Sequence, residues 1–154
     1  LERREKELVI LDDVLLGYYS DAAAQPSGRP IAQGWMSSPY GKRVDPISGK
    51  QAWHAGMDFA GRHGSDVITV ANGVVTYAGM RDGYGLMVEI SHGKDVSTRY
   101  GHHDALSVTP GQTVKRGDVI GQMGSSGRST GPHVHFEELR KGKAINPAKF
   151  VNRG

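Results

Sequence analysis

Apolar positions along this chain follow two different patterns. Over residues 1–20, Leu1, Leu8, Leu11, Leu15 and Tyr18 fall on heptad a–d spacing, with Arg4 the polar exception, and every residue from Glu2 to Glu7 is charged. That spacing predicts a short N-terminal amphipathic α-helix with a solvated start, either the end of a longer coiled coil or a helix packed on the domain that follows. Small residues bounded by prolines come next (DAAAQPSGRP, residues 21–30) and predict a linker running to residue 33. From residue 34 to 154 the pattern is β throughout. Short apolar or alternating runs recur at Val74–Tyr77, Leu86–Ile90, Val96–Tyr100, Val119–Met123 and His133–Leu139. Turn dipeptides separate them: Asp82-Gly83, His92-Gly93, Pro110-Gly111, Arg116-Gly117 and Ser126-Gly127. No helix-length apolar period interrupts these runs, so the expected fold is mainly β, with antiparallel sheets forming a sandwich or groove, preceded by the short helix.

Composition sharpens this picture. Glycine occurs 22 times in 154 residues, about twice the usual share, and glycine is costly inside strands but cheap in tight turns. Lys and Arg number 19 against 16 Asp and Glu, a net charge of +3, far short of the clustered basic stripe of a nucleic-acid binder. Cysteine is absent, which removes disulfide scaffolds, thiol catalysis and cysteine-ligated zinc together. No run of about 18 apolar residues is present to span a membrane. Because the chain opens on Leu1 in mid-pattern, the expectation is a piece of a longer protein.

Candidate chemistry lies in the seven histidines. His133-Val134-His135 opens an alternating run, so both imidazoles project from one face of a strand while Val134 and Phe136 turn to the other. In His54-Ala-Gly-Met-Asp58 an even spacing of four again sets both side chains on one face of an extended segment, and Gly56 argues against a helix. Two His and one Asp make a three-donor set of nitrogen and oxygen. That set suits Zn²⁺ and leaves a fourth tetrahedral position open, as a catalytic site requires. The remaining histidines read as structural or solvated: His63 in a loop, His92 at a hairpin turn. Trp53 reads as core packing. The loop Gly124–Gly131 lacks the Gly-Lys-Ser/Thr ending of a phosphate loop and precedes a strand.

Between Gly34 and Phe150 the sequence resembles the LytM/lysostaphin-type zinc metallopeptidases, which cut peptide cross-links in bacterial peptidoglycan. The resemblance is carried by Ser38-Pro-Tyr-Gly-Lys-Arg-Val-Asp-Pro46, His54-Ala-Gly-Met-Asp58, Tyr84-Gly85, Thr98-Arg-Tyr-Gly-His102, Val114-Lys-Arg-Gly117 and Gly124-Ser-Ser-Gly-Arg-Ser-Thr-Gly-Pro-His-Val-His-Phe-Glu137. It implies that His54, Asp58 and His135 bind one zinc ion per chain. It implies that His102 and His133 flank the reacting water and the scissile carbonyl, without saying which is the general base. It also sets Ser129 and Thr130 on the substrate groove. The implied partners are peptidoglycan stem peptides, and the implied location is the periplasm or cell envelope, in a parent protein anchored to the membrane through an upstream region. By analogy with envelope-anchored Gram-negative relatives, the bond would be D-alanyl–diaminopimelyl. Glu137 or a backbone carbonyl would accept the second nitrogen of a liganding histidine.

Two positions depart from the family pattern. His103 and Glu138 stand where aliphatic residues are usual. His103 is expected at the surface or groove rim, since only one of two adjacent strand residues can reach the site, and Glu138 in solvent at a sheet edge. Two other function classes compete. A non-catalytic LytM-type activator of another cell-wall hydrolase would lack zinc ligands or the base, yet all five positions are filled. A biotinyl or lipoyl carrier is suggested by residues 110–120, but Gly124 follows Met123 where the modifiable lysine is needed.

Overall fold

A computed structural model describes residues 22–127, 129 and 131–152. The N-terminal helix expected over 1–20 lies outside the described residues. Among them, the strands in chain order are β1 (Trp35–Ser38), β2 (Gly41–Val44), β3 (Gln51–His54), β4 (Met57–Ala60), β5 (Asp66–Ile68), β6 (Gly73–Arg81), β7 (Gly85–Gly93), β8 (Val96–Leu106), β9 (Thr113–Val114), β10 (Val119–Met123), β11 (His133–Arg140) and β12 (Lys143–Ile145). The α-helix among the described residues is α1 (Ala148–Val151), near the C-terminal end, where the sequence pattern predicts none. Each of the five expected apolar runs lies within a strand.

One sheet of ten strands runs in the order β1-β4-β11-β8-β7-β6-β9, with β10 beside β5 and β8 and β12 beside β11. Every pairing is antiparallel, as short turn-linked strands dictate. Strands β2 and β3 form a separate hairpin. The longest strand, β8, changes partner along its length: Val96–Gly101 pair with β11, whereas His103–Leu106 pair with β10. The fork between β10 and β11 opens at His102, whose φ of 65° is left-handed. That conformation is uncommon for a side-chain-bearing residue, and it departs from the alternation of a regular strand.

Alternation puts Phe59, Val134 and Phe136 into the core with Val67, Val88, Ile90, Tyr100, Ile120 and Met123. Phe136 meets Phe59 edge-on at 6.5 Å and Tyr100 at 5.4 Å. Burying each such ring stabilises the fold by about 1.5–3 kcal/mol, so the odd-numbered face of β11, bearing His133 and His135, rests on a firm opposite face. Residues of the expected linker lie against this core. Ala24 and Ile31 are buried, Ile31 bridges Val67, and Gly28 donates to the Phe150 carbonyl at 2.9 Å.

Several expectations need correction. The β7–β8 turn is not His92-Gly93 but Lys94-Asp95, both with left-handed φ (52° and 61°), as a two-residue hairpin turn demands. His92 is thereby a buried strand residue, with Nδ1 2.6 Å from the Asn72 carbonyl and Nε2 2.8 Å from the Thr98 hydroxyl. Trp53 is 63 % exposed, standing edge-on to Tyr40 on the outer face of the β2–β3 hairpin. Glu138 is fully buried, because it shares the core-facing side of β11 with Val134 and Phe136, and β12 and β8 pair on either side so the position is no edge. Its charge is balanced by Arg140 at 3.2 Å.

Candidate metal centre and groove

Sheet register brings the first two donors together. Asp58 on β4 and His135 on β11 are direct cross-strand partners. His54 arrives differently from the sequence expectation of one extended segment. It ends β3, in the other sheet, and the chain then crosses to β4 through Ala55 and Gly56. A Cβ on Gly56 would stand 2.2 Å from the Phe136 carbonyl oxygen, so only glycine lets this link pass so close to β11.

Outward-facing atoms of the two rings are already engaged. His54 Nδ1 donates to the Pro39 carbonyl at 2.7 Å, and His135 Nε2 donates to Glu137 Oε2 at 3.1 Å. The inward-facing atoms then converge. His54 Nε2 lies 3.2 Å from Asp58 Oδ1 and 3.2 Å from His135 Nδ1, and His135 Nδ1 lies 2.9 Å from Asp58 Oδ1. With their outer nitrogens committed, the inner nitrogens are the ones that, once deprotonated, would turn lone pairs toward the space beside a carboxylate oxygen, which is a cradle for a cation. Charge balance agrees. Burial pulls the His135 pKa down, but the hydrogen bonds and charges of Asp58 and Glu137 outweigh it and push it up to about 9. Burial likewise pulls Asp58 up, yet His135 and His54 hold its carboxyl far below the usual carboxylate range.

These residues fit zinc. The donor set is two nitrogens and one oxygen, all within 4.8 Å of one another. Tetrahedral zinc with bonds of about 2.0–2.1 Å needs donors about 3.3 Å apart, close to the separations found. The remaining side opens on a groove of ≈ 430 Å³, bordered by Ser38, Arg43, Pro46, Ile47, Ser129 and His133 among others.

Two further histidines stand at that open side. The His102 and His133 rings are 4.7 Å apart, and His102 lies 6.0 Å from His135. His102 Nδ1 donates to the Ser126 carbonyl at 2.5 Å, so Nε2 is the acceptor atom of the ring. Burial lowers its pKa to about 4, so the ring is neutral at ordinary pH. His133 Nδ1 donates to the Gly131 carbonyl at 2.9 Å, with Ser129 Oγ 3.1 Å away. Thr130 lies outside the described residues.

His103 is not at the rim. It is fully buried on the other side of β8, with Nδ1 donating to the Leu86 carbonyl at 3.0 Å, and burial lowers its pKa to about 4. Room for the ring comes from Gly121, where a Cβ would stand 2.5 Å from His103 Cδ2.

Three groups at the site carried no assignment from sequence. Arg43 donates through Nη1 to Ser38 Oγ (2.8 Å) and to Asp58 Oδ2 (3.2 Å). Tyr84 donates its hydroxyl to Glu137 Oε1 at 2.8 Å, orienting the carboxylate that holds His135. Ser126 donates its hydroxyl to the His103 carbonyl (2.5 Å) and accepts the Leu86 N–H (3.1 Å), which fixes the carbonyl that His102 uses. All three fall inside the blocks that carry the resemblance, but their roles depend on contacts across the fold.

The sequence profile described as Peptidase family M23 matches residues 52–147. Over 122 residues (79 % of this chain) the sequence is 43 % identical to the DD-carboxypeptidase/endopeptidase Mpg of Neisseria meningitidis serogroup B, covering 28 % of that protein. It is 34 % identical over 132 residues to the murein hydrolase activator NlpD of Salmonella dublin, covering 85 % of this chain and 34 % of that one. Among solved structures, a zinc-containing peptidase from Vibrio cholerae aligns with a TM-score of 0.72 at 33 % identity, over 79 % of this chain and 39 % of the other. The chain spans 28 % and 34 % of the two curated relatives' lengths.

Proposed function

Because the chain belongs to peptidase family M23, we propose that it is a zinc-dependent endopeptidase cutting D-alanyl–diaminopimelyl cross-links of peptidoglycan. The observation that carries this reading is the convergence of His54 Nε2, Asp58 Oδ1 and His135 Nδ1 beside a groove, with the outer nitrogen of each ring committed elsewhere. When bound, zinc supplies Lewis acidity, polarising a carbonyl and lowering the pKa of a water from 15.7 toward about 7. The rest of the work falls to the protein. His102, kept neutral by burial and fixed in tautomer by Ser126, takes a proton at Nε2 from the attacking water and delivers it to the leaving amine. His133, whose Nδ1 proton is held by Gly131, presents Nε2 to the scissile carbonyl and, when protonated, donates there to the developing oxyanion. Ser129 steadies His133 and borders the substrate. Thr130 shares that substrate role in this proposal.

In the same proposal, residues 34–154 form the peptidase domain and 21–33 lead into it. The parent protein is anchored at the cell envelope and faces the periplasm. A second reading has a specific observation in its favour: the similarity to NlpD supports a non-catalytic activator of another murein hydrolase. Mass spectrometry of purified sacculi digested with the protein, with and without chelator, separates the two. An endopeptidase releases un-cross-linked muropeptides on its own, and chelator abolishes the release. Intact cross-links in the presence of zinc-loaded protein, with release only after a second hydrolase is added, would overturn the enzyme reading.

A further inference from the structure

Arg43 is the one fixed cation among the described residues that line the groove, and it borders the groove on two sides of the donor cluster. On one side lies the ≈ 430 Å³ space shared with His102 and His133. On the other lies a smaller space of ≈ 220 Å³, completed by Gly83, Tyr84, His102, His135 and Glu137. The Nη1 group has two hydrogens, and both are engaged, one by Ser38 Oγ and one by Asp58 Oδ2. Among the described residues Nε and Nη2 have no partner, and the side chain keeps 23 % of its exposure. What remains is the Nε–Nη2 edge, a planar fork of parallel N–H donors whose geometry matches a carboxylate.

Three features make this fork a binding group rather than a solvated tip. The two Nη1 bonds already hold the guanidinium plane, so little side-chain freedom is lost when a ligand arrives. The carboxylate across the smaller space, Glu137, does not compete, because Tyr84 and His135 occupy its oxygens at 2.8 and 3.1 Å. Finally, Arg43 and the donor cluster share Asp58: Oδ2 meets Arg43 Nη1 while Oδ1 faces both imidazoles. A group bound by Arg43 therefore lies within a few bonds of the amide under attack.

We propose that Arg43 is a specificity-determining residue whose Nε–Nη2 edge binds a substrate carboxylate adjacent to the scissile amide. The inference rests on the endopeptidase reading and deepens it. In a D-alanyl–diaminopimelyl cross-link, the carbon that carries the leaving amine also carries a carboxylate. An internal glycine bridge offers no charged group at that position, and amidation of the diaminopimelyl carboxylate would erase the feature.

The test uses two cross-linked muropeptides that differ only in whether this carboxylate is free or amidated. Cleavage is measured as kcat/KM with the zinc-loaded protein, binding by calorimetry with the zinc-free protein, and zinc content by mass spectrometry. The native protein should prefer the free carboxylate by about tenfold or more in both readouts, the scale of a charge-assisted pair. Arg43→Gln should reduce that preference to within about twofold. Arg43→Lys, which keeps the charge but not the fork, should recover only part of it and serves if Arg43→Gln fails to fold. A native protein with no preference, or a preference undiminished in both variants, overturns the proposal. A variant that loses cleavage of both substrates equally would assign Arg43 to Asp58 alone and also overturn it. If neither substrate is cut by zinc-loaded protein, the endopeptidase reading fails, while the binding ratio still decides the role of Arg43.

Discussion

His135 on β11 and His92 on β7 are both strand histidines with both ring nitrogens hydrogen-bonded, but their partners differ in kind. His135 sits between the carboxylates of Asp58 and Glu137. His92 sits between a carbonyl and a hydroxyl, those of Asn72 and Thr98. Burial opposes the charged ring in both places. At His135 the two carboxylates reverse that pull and raise the pKa to about 9, whereas at His92 burial prevails and lowers it to about 4. The comparison teaches where a buried imidazole is equipped to sit beside a cation and where it is a neutral tie between strands. Surrounding acceptors decide, rather than burial or strand position.

The comparison breaks first at the donors. Replacing His54, Asp58 or His135 by Ala should remove zinc, measured by elemental mass spectrometry, and lower muropeptide cleavage by more than about a thousandfold, since a three-donor site cannot spare one. His102→Ala and His133→Ala should keep the zinc and lower kcat by about 10²–10⁴-fold, the range of lost acid–base or oxyanion assistance. Equal kcat in His102→Ala and the native protein would remove that residue from the mechanism. Glu137→Gln keeps the shape but not the charge beside His135. Competition with a chelator of known affinity should show zinc binding weakened by about 10–100-fold.

His92 supplies the smallest effect on the site and the sharpest contrast. Its folded-state pKa of about 4 lies below the ordinary value of 6.5, so between these pH values the unfolded chain binds the proton and the fold does not. Stability conferred by the neutral ring is therefore present above pH 6.5, declines as pH falls toward 4, and amounts to up to about 3 kcal/mol. Denaturant melts across that window should show a shallower pH dependence in His92→Gln than in the native protein. Cleavage by the folded variant at neutral pH should stay within about twofold of native.

Legibility in the sequence divided along the same line. The five apolar runs were readable because strand alternation is a local feature of the chain. The motif blocks pointed to the three candidate donors, although the single extended segment expected for His54 and Asp58 is broken between β3 and β4. The partners that decide each histidine's chemistry were mostly not readable. Ser126 acts on His102 through a backbone carbonyl, which no side-chain pattern reveals. Arg43 reaches Asp58 from the other sheet. Alternation with one wet face predicts His103 at the surface or groove rim and Glu138 in solvent. The shorter β12, with only three residues, covers Glu138, and the missing Cβ of Gly121 makes room for His103. Trp53 erred the other way, since an aromatic on an isolated hairpin has no second layer to enter.

The central claim is that these three side chains hold one zinc ion with a coordination position left open to the groove. An anomalous difference map at the zinc absorption edge, from crystals of zinc-supplied protein, tests it at atomic level. The account predicts a single strong peak about 2.0–2.2 Å from His54 Nε2, His135 Nδ1 and a carboxylate oxygen of Asp58. Density without a peak there at saturating zinc, or zinc held only elsewhere on the protein, would contradict it.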